Sequence, residues 1–171
     1  MDTEQLEHGT FVRIFDQGVL LKGEPGIGKS NLALELLHRG HALIADDVVR
    51  FTLQDHQLIG SAPAMLAGLL EIRDLGVLSV NDLFSPSAFI NAHPLHLTIE
   101  LIDGDTVTPP RLSAVHKFHT ILMKKCPSLQ IFSHSARNLP LILETAIKNH
   151  ILYQAGKDAN QELANRQQQY L

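Results

Sequence analysis

The chain has 171 residues, of which 44% are hydrophobic, and this is enough for one domain with a proper core. Its formal net charge of −4 argues against general nucleic-acid binding, because proteins that read the phosphate backbone carry a basic excess. Its apolar stretches are far shorter than the roughly 20 residues of a membrane span, and the N-terminus lacks the basic start of a signal peptide. A single cysteine, Cys126, excludes a disulfide framework. We therefore expect a cytoplasmic protein without membrane or nucleic-acid partners.

The first predicted elements are two strands, at residues 11–15 and 18–21, joined by a turn at 16–17. The second strand leads into Gly23-Glu24-Pro25-Gly26-Ile27-Gly28-Lys29-Ser30, which has the pattern G-x-x-x-x-G-K-S. The leucine-rich segment that follows predicts a helix ending at His38-Arg39-Gly40. A strand before the pattern and a helix after it are the context of a phosphate-binding loop. A glycine-rich structural turn is the alternative.

Such a loop binds phosphate through its backbone. The glycines allow successive N–H groups to turn inward, and the positive end of the helix dipole points at the same place. Lys29 would reach the β and γ phosphates of a nucleotide, and the hydroxyl of Ser30 would ligate Mg²⁺. The pattern therefore predicts a site for a nucleotide together with a magnesium ion.

Two acidic residues follow the next predicted strand, at residues 42–45. A strand that runs beside the phosphate-loop strand would bring Asp46 and Asp47 next to the bound phosphates. One carboxylate can then help to hold Mg²⁺, directly or through water, while the other accepts a proton from an incoming hydroxyl. A solvated strand end or a helix cap is the alternative.

The rest of the chain has a mixed α/β pattern. Residues 48–53 and 57–61 predict a hairpin, and a loop containing Pro63 and Leu70-Glu71-Ile72-Arg73 is expected to follow. Residues 95–102 alternate as a strand, and the polar segment 103–111 predicts a mobile loop. Apolar spacing at 139–153 is helical, and the glutamine-rich segment 160–170 is expected to fray or to dock on a neighbour. We therefore predict one α/β domain with a mixed sheet at residues 1–155, followed by a tail at 156–171.

Several short motifs occur in a specific order along the chain. They are His8-Gly9, Gly18-Val19-Leu20-Leu21, the phosphate loop, Arg39-Gly40-His41 with Leu43-Ile44-Ala45-Asp46-Asp47, Leu70-Glu71-Ile72-Arg73 with Leu75-Gly76, and Arg137-Asn138. In combination they resemble the catalytic domain of HPr kinase/phosphorylase, over about residues 6–155. The resemblance implies a P-loop kinase domain with a fold similar to that of phosphoenolpyruvate carboxykinase.

The activity that this resemblance implies is serine phosphorylation of HPr, the small phosphocarrier of the bacterial sugar phosphotransferase system. The donor would be ATP, or alternatively pyrophosphate, with Mg²⁺. In the family the same site also dephosphorylates HPr. In that reaction inorganic phosphate attacks phosphoserine, and pyrophosphate leaves. The family assembles as hexamers, and shortened members without an N-terminal domain exist. We therefore expect a homohexamer of this short form.

The resemblance also assigns roles to individual residues. Asp47 would accept the proton in phosphorylation and donate it in the reverse direction. Lys29 would bind phosphate, and the metal ligands would be Ser30 and Glu71, with Asp46 at the same ion. A salt bridge between Glu71 and Arg73 without a catalytic role is the alternative to a metal-binding Glu71.

Three further positions follow from the same resemblance. His8 would lie close to the phosphates, Arg111 would stabilise charge on the transferring phosphoryl group, and Arg137 would help to bind the nucleotide. An ordinary strand histidine and a solvated loop arginine are the alternatives for the first two.

Asp74 stands where the family usually has glycine. The segment 133–136 lacks the family's proline and glycine, so the resemblance implies the kinase reaction more directly than the reverse reaction.

Two other functions remain open. One is a P-loop kinase with a small-molecule acceptor, since other phosphate-loop enzymes share the same cradle. The other is a nucleotide sensor without catalytic activity, although such a protein has no need of a general base such as Asp47. A protein acceptor requires an open site, whereas a metabolite requires a closed pocket.

Overall fold

A computed structural model describes residues 3–108 and 116–170 of the chain. Within these residues the strands are β1 (Glu4–His8), β2 (Thr10–Ile14), β3 (Gln17–Lys22), β4 (Ala42–Ala45), β5 (Val48–Gln54), β6 (Gln57–Ser61), β7 (Leu69–Ile72), β8 (Gly76–Ser79), β9 (Ala92–Pro94), β10 (Leu97–Asp103), β11 (Lys117–Ile121) and β12 (Lys124–Ser133). The α-helices are α1 (Lys29–His38), α2 (Val80–Leu83), α3 (Leu139–Gln154) and α4 (Ala159–Gln169). Arg111, a predicted site residue, lies outside the described residues.

The central element is a six-stranded sheet with the order β11-β12-β10-β3-β2-β4. The neighbours β3, β10 and β12 are parallel, whereas β2 is antiparallel to both β3 and β4, and β11 is antiparallel to β12. The predicted mixed sheet is therefore confirmed. Because β2 lies between β3 and β4 and is antiparallel to both, β3 and β4 run in the same direction and end at the same edge of the sheet.

Two hydrophobic layers hold this sheet. On one face α1 and α3 bury side chains such as Leu36 and Leu143 against Leu21 and Ile99. On the other face the antiparallel sheet β1-β5-β6-β9 packs over β2, β3 and β4, where Phe11 and Phe51 lie with ring centroids 5.5 Å apart. Since both faces are covered, strands β3 and β4 consist almost entirely of buried residues, as their continuous apolar runs indicate.

The structure corrects several predicted elements. Residues 69–72 form strand β7, paired with β8, rather than part of a loop, and β10 begins at Leu97 rather than at residue 95. The strands that were not predicted at all are β1, β8, β9, β11 and β12. The glutamine-rich tail is the helix α4, whose cap Asp158 accepts hydrogen bonds from the backbone N–H groups of Asn160 and Gln161. The hairpin β5–β6 and the helix α3 are confirmed.

None of the helices in the described part of the chain is both long enough and apolar enough to cross a membrane.

A polar contact ties the C-terminal end of α1 to α3. The Glu144 carboxylate accepts hydrogen bonds from Arg39, one of them from Nε at 2.8 Å, and lies 2.7 Å from His41 Nε2. The hydrogen bonds from Arg39, supported by His41 and opposed by partial burial, lower the pKa of Glu144 to about 2. The ionised form of this carboxylate therefore stabilises the packing of the two helices.

A Glu144→Gln variant is expected to be less stable than the wild type at neutral pH. A carboxylate with a lowered pKa stabilises the folded state above its unfolded pKa, near 4.5, and this contribution is lost as the pH falls towards 2. The two denaturant-unfolding curves should therefore converge between these pH values. Glu162→Gln, in the exposed pair with Arg166 on α4, is the matched control and should change stability little. A constant difference down to pH 2 would contradict this role.

Candidate phosphate-binding site

The G-x-x-x-x-G-K-S segment forms the turn between β3 and α1, as the sequence predicts. Helix α1 begins at Lys29 after Gly28, which has φ 103° and provides no capping side chain. No acidic residue occupies the first turn of α1. A Cβ atom at Gly28 would meet nothing within 4 Å, so the backbone at this point faces open space. The free N–H groups at the start of α1 are therefore available to an anion.

Lys29 folds back over this loop. Its Nζ donates hydrogen bonds to the backbone carbonyls of Gly23, at 2.8 Å, and Glu24, at 3.2 Å. At Gly23 a Cβ atom would lie 2.9 Å from the carbonyl oxygen of Leu101 on β10, so only glycine fits there. The loop is thus packed against the neighbouring strand, and its lysine is held at the mouth of the cradle.

Asp46 is the buried member of the acidic pair. It follows β4 at the same edge of the sheet as the phosphate loop, although β2 lies between β4 and β3, so β4 is not the direct neighbour that the sequence suggested. Its side chain, 6% exposed, accepts hydrogen bonds from Thr10 Oγ1 at 2.8 Å and from Ser30 Oγ at 3.0 Å. The carboxylate therefore orients the serine hydroxyl that the sequence pattern assigns to a metal ion.

Asp47 is exposed and has an unusual backbone. The Val48 N–H donates to the Asp46 carbonyl at 2.8 Å, and Asp47 at the centre of this three-residue turn has φ 66°. Turns of this kind are rare and strained, although aspartate tolerates positive φ better than most residues. The Asp47 carbonyl also accepts from Gly9 N–H at 3.0 Å. Strained conformations cluster at functional sites, where the surrounding structure maintains them.

The hairpin β7–β8 contributes Glu71. Leu70 and Ile72 are buried in the core beside α1, so the alternation of the strand turns Glu71 and Arg73 to the exposed side. No ion pair joins Glu71 to Arg73 among the described residues, so the alternative salt bridge is absent there. Asp74 has φ 75°, which keeps a glycine-type conformation at the position where the family usually has glycine.

These residues line one open cleft of about 330 Å³. Its walls include Gly28, Lys29, Ser30, Asp46, Asp47 and Glu71, together with Thr10, Asn31 and Arg73. Sequence reasoning missed Thr10 and Asn31. Asn31 directly follows the loop pattern and could have been noticed, but nothing in the sequence marks Thr10.

Oxygen ligands in this cleft suit a magnesium ion. Ser30, Asp46 and Glu71 offer one hydroxyl and two carboxylates in the same cleft. Residues 3–108 and 116–170 contain no cluster of three or more histidine, cysteine or acidic side chains arranged as a complete metal site. Mg²⁺ usually takes one or two carboxylates and completes its coordination with water and substrate phosphates. The residues therefore fit a magnesium ion that binds together with a nucleotide.

Two other predicted site residues lie outside this cleft. His8 pairs with Val48 across the β1–β5 ladder, one residue from Asp47, and its side chain is exposed. Arg137 is exposed, and its guanidinium donates to the carbonyl of Phe132 at 3.1 Å. The structure thus brings together Lys29, Ser30, Asp46, Asp47 and Glu71, but places neither His8 nor Arg137 in the lining.

An Asp46→Asn variant is expected to weaken Mg²⁺-dependent nucleotide binding by about 10–100-fold, the usual cost of removing a partner that orients a metal ligand. Asparagine keeps the size and one acceptor oxygen, so the fold should survive. Calorimetric titration with ATP, with and without Mg²⁺, measures the effect. Binding without Mg²⁺ serves as the internal control and should change little. If ATP binding weakens equally with and without Mg²⁺, Asp46 supports the conformation of the phosphate loop and does not act through the metal ion.

A phosphate loop on a mixed sheet defines a P-loop nucleotide-binding domain, and here a lysine, a serine and carboxylates lie around one cleft. A comparison with protein families matches residues 1–167 to the family described as HPr Serine kinase C-terminal domain. The chain belongs to this family.

Individual relatives agree with this assignment. HPr kinase/phosphorylase of Neisseria gonorrhoeae is 38% identical over 170 residues, covering 97% of this chain and 53% of the relative. The protein of the same name from Leptospira biflexa is 36% identical over 170 residues, with the same coverage. The solved structure of the Hpr(Ser) kinase/phosphatase from Coxiella burnetii superimposes with a TM-score of 0.84 at 37% identity, covering 93% of this chain and 98% of that one. The chain spans about half the length of the curated relatives that it matches.

Proposed function

We propose that this domain is an ATP-dependent serine kinase that phosphorylates HPr with the help of Mg²⁺. The observation that carries the proposal is the position of Asp47, which is exposed in the same cleft as Lys29 and Ser30 of the phosphate loop. Membership of the family and the names of the relatives support HPr as the acceptor. A protein serine needs an open site, and the exposure of Asp47 and Glu71 at the cleft meets this need.

In the proposed reaction the loop holds the donor and Asp47 handles the proton. The N–H groups at the start of α1 bind phosphate oxygens, and Lys29 exchanges its carbonyl partners for the donor's terminal phosphates. Ser30 and Glu71, with Asp46 behind the serine, would hold Mg²⁺, which would supply positive charge to neutralise the phosphates. Asp47 accepts the proton of the incoming serine hydroxyl as that oxygen bonds to the γ-phosphorus, and the bond between the γ-phosphorus and the bridging oxygen breaks so that ADP leaves. His8, Arg111 and Arg137 keep their proposed roles near the phosphates and the nucleotide.

The same residues account for a reverse reaction in the proposal. Asp47, once protonated, would return the proton to the serine oxygen as inorganic phosphate attacks phosphoserine and pyrophosphate leaves. We further propose that the domain acts in the cytoplasm and within a homohexamer. Exposed apolar side chains on α3, among them Leu141, Ile151 and Leu152, offer surface for contacts between subunits.

The direct test is to incubate the protein with Mg²⁺, ATP and HPr from the same organism, and to locate added phosphate by intact mass and peptide mapping. One phosphoserine on HPr is the expected result. Adding inorganic phosphate afterwards tests the reverse reaction through the release of pyrophosphate. If ATP binds while HPr stays unmodified, the acceptor is wrong, and a small molecule or a sensing role replaces it. Size-exclusion chromatography with light scattering tests the hexamer.

A further inference from the structure

A buried ion pair lies beside the phosphate loop, outside the mechanism described above. Its members are Glu7, near the end of β1, and Lys22, the last residue of β3. Glu7 is 9% exposed, and its carboxylate also accepts a hydrogen bond from Gln5 Nε2 at 2.7 Å and lies 3.2 Å from His119 Nε2. Lys22 directly precedes Gly23, the first residue of the loop. The pair therefore joins the sheet β1-β5-β6-β9 to the strand that carries the phosphate loop.

The charge of Glu7 is stabilised by its neighbours. Partial burial raises the pKa of this carboxyl, but the hydrogen bond and the attraction of Lys22, with hydrogen bonds from Gln5 and His119, outweigh burial and hold the pKa below its usual value. Gln5 in turn accepts a hydrogen bond from the Leu122 N–H at 2.9 Å, in the turn between β11 and β12. Since a buried charge without its partner is costly, this network holds β1 in a fixed position on the large sheet.

The residues that follow this ion pair on β1 and β2 reach both aspartates of the cleft. The Gly9 N–H donates to the Asp47 carbonyl at 3.0 Å, and Thr10 Oγ1 donates to the Asp46 carboxylate at 2.8 Å. A Cβ atom at Gly9 would lie 2.6 Å from the carbonyl oxygen of Leu21, so the chain is packed closely against the end of β3. This segment thus contacts the strand before the phosphate loop on one side and the acidic pair on the other.

The segment therefore sets the distance between Asp47 and the phosphate loop. Asp47 is exposed and lies in a strained turn, and its carbonyl is bound by Gly9, two positions after Glu7. A displacement of about 1 Å between reacting groups can cost about 10²-fold in rate. The position of β1 relative to the loop consequently matters for proton transfer, although Glu7 is not part of the described lining of the cleft.

We propose that Glu7, through its ion pair with Lys22, is a positioning residue that sets Asp47 at the correct distance from the donor's phosphates. The inference rests on the proposed kinase function and adds to it a residue outside the cleft. Glu7 fixes the end of β1, and Gly9 passes this position on to the turn that contains Asp47.

The test introduces Glu7→Gln in two backgrounds. Glutamine keeps the size of the side chain but removes the charge that binds Lys22. In the wild-type background, kcat for HPr phosphorylation should fall by about 10–100-fold, while the affinity for Mg-ATP and the KM for HPr stay within about twofold. In the Asp47→Asn background, the same substitution should lower kcat by less than about twofold, because the group that Glu7 positions has already been removed.

Two further variants complete the experiment. Glu4→Gln, at the exposed start of the same strand, is the matched control and should leave kcat and both binding constants within about twofold. Urea unfolding shows whether each variant is folded under the assay conditions. If Glu7→Gln does not fold, Lys22→Gln removes the other charge of the pair, and kcat at saturating Mg-ATP is compared in the same two backgrounds.

The outcomes separate the inference from the function beneath it. Full kcat in Glu7→Gln, or an equal loss in both backgrounds, would overturn the positioning role. A loss of Mg-ATP affinity as large as the loss of kcat would also overturn it, because Glu7 would then support the phosphate loop rather than Asp47. If the wild type binds Mg-ATP but transfers no phosphate to HPr, the proposed kinase function fails, and this inference fails with it.

Discussion

An Asp47→Asn variant is expected to lose about 10²–10⁴-fold in kcat for phosphoryl transfer while its affinity for Mg-ATP stays nearly unchanged. Asparagine has the size of aspartate but does not accept the proton of the serine hydroxyl. It also tolerates the φ of 66° found at this position, so the turn before β5 should be preserved. Quenched assays of phospho-HPr formation measure kcat, and calorimetry measures nucleotide binding.

Asp47→Ala also tests whether Asp47 accepts the proton, but this substitution can lower the stability of the fold. Alanine at positive φ costs roughly 1–2 kcal/mol, so a stability measurement must accompany its kinetics. An exposed aspartate outside the site, Asp55, also has positive φ, at 47°, and Asp55→Asn is the matched control. If Asp47→Asn retains full kcat, Asp47 is not the proton acceptor and the mechanism proposed above is wrong.

A Lys29→Met variant is expected to weaken Mg-ATP binding as well as transfer, with a loss of roughly 10²–10³-fold in kcat/KM. The ammonium group is the cation at the mouth of the loop, where it now donates to the carbonyls of Gly23 and Glu24. Methionine keeps the length of the side chain and removes the charge. ATP titrations and initial rates against HPr measure the two effects separately.

Lys125→Met provides the comparison for Lys29→Met. Lys125 is exposed near the start of β12, at the edge of the sheet opposite the phosphate loop. Removing its charge should therefore leave the affinity for Mg-ATP and kcat/KM within about twofold of the wild-type values. Tight ATP binding by Lys29→Met would contradict the phosphate-binding role. Asp47→Asn and Lys29→Met together distinguish binding from chemistry. Asp47→Asn should lower kcat alone, whereas Lys29→Met should lower both the affinity for Mg-ATP and the rate of transfer.

The phosphate loop was predicted from the sequence because its chemistry is local. Eight consecutive residues, from Gly23 to Ser30, contain the glycines, the lysine and the serine, and the flanking apolar runs define the strand and the helix. Asp46 and Asp47 were predicted for a similar reason, since they directly follow a buried apolar run. Their division of labour was predicted with the help of the family resemblance. The burial of Asp46 was not predicted, because it depends on a contact with Thr10, 36 positions away.

Elements with weak local signals were harder to predict. Strand β7 is only four residues long, and the sequence predicts a loop there. Its conformation comes from pairing with β8 and from burial of Leu70 and Ile72 beside α1. Strands β1, β11 and β12 carry many polar residues, and their pairing partners decide their conformation. Glu71 could therefore be named as a metal ligand only from the family resemblance.

The sequence by itself determined that this chain is an α/β P-loop domain of the HPr kinase family, with a phosphate cradle and an acidic pair behind it. Those features are encoded in contiguous residues, and their physical chemistry is local. The tertiary structure alone decided which carboxylate is buried and where Glu71 lies. Asp46 is buried by its contacts with Thr10 and Ser30, and Glu71 is placed by the pairing of β7 with β8 and by the burial of its neighbours beside α1, so both depend on contacts between residues far apart in the chain.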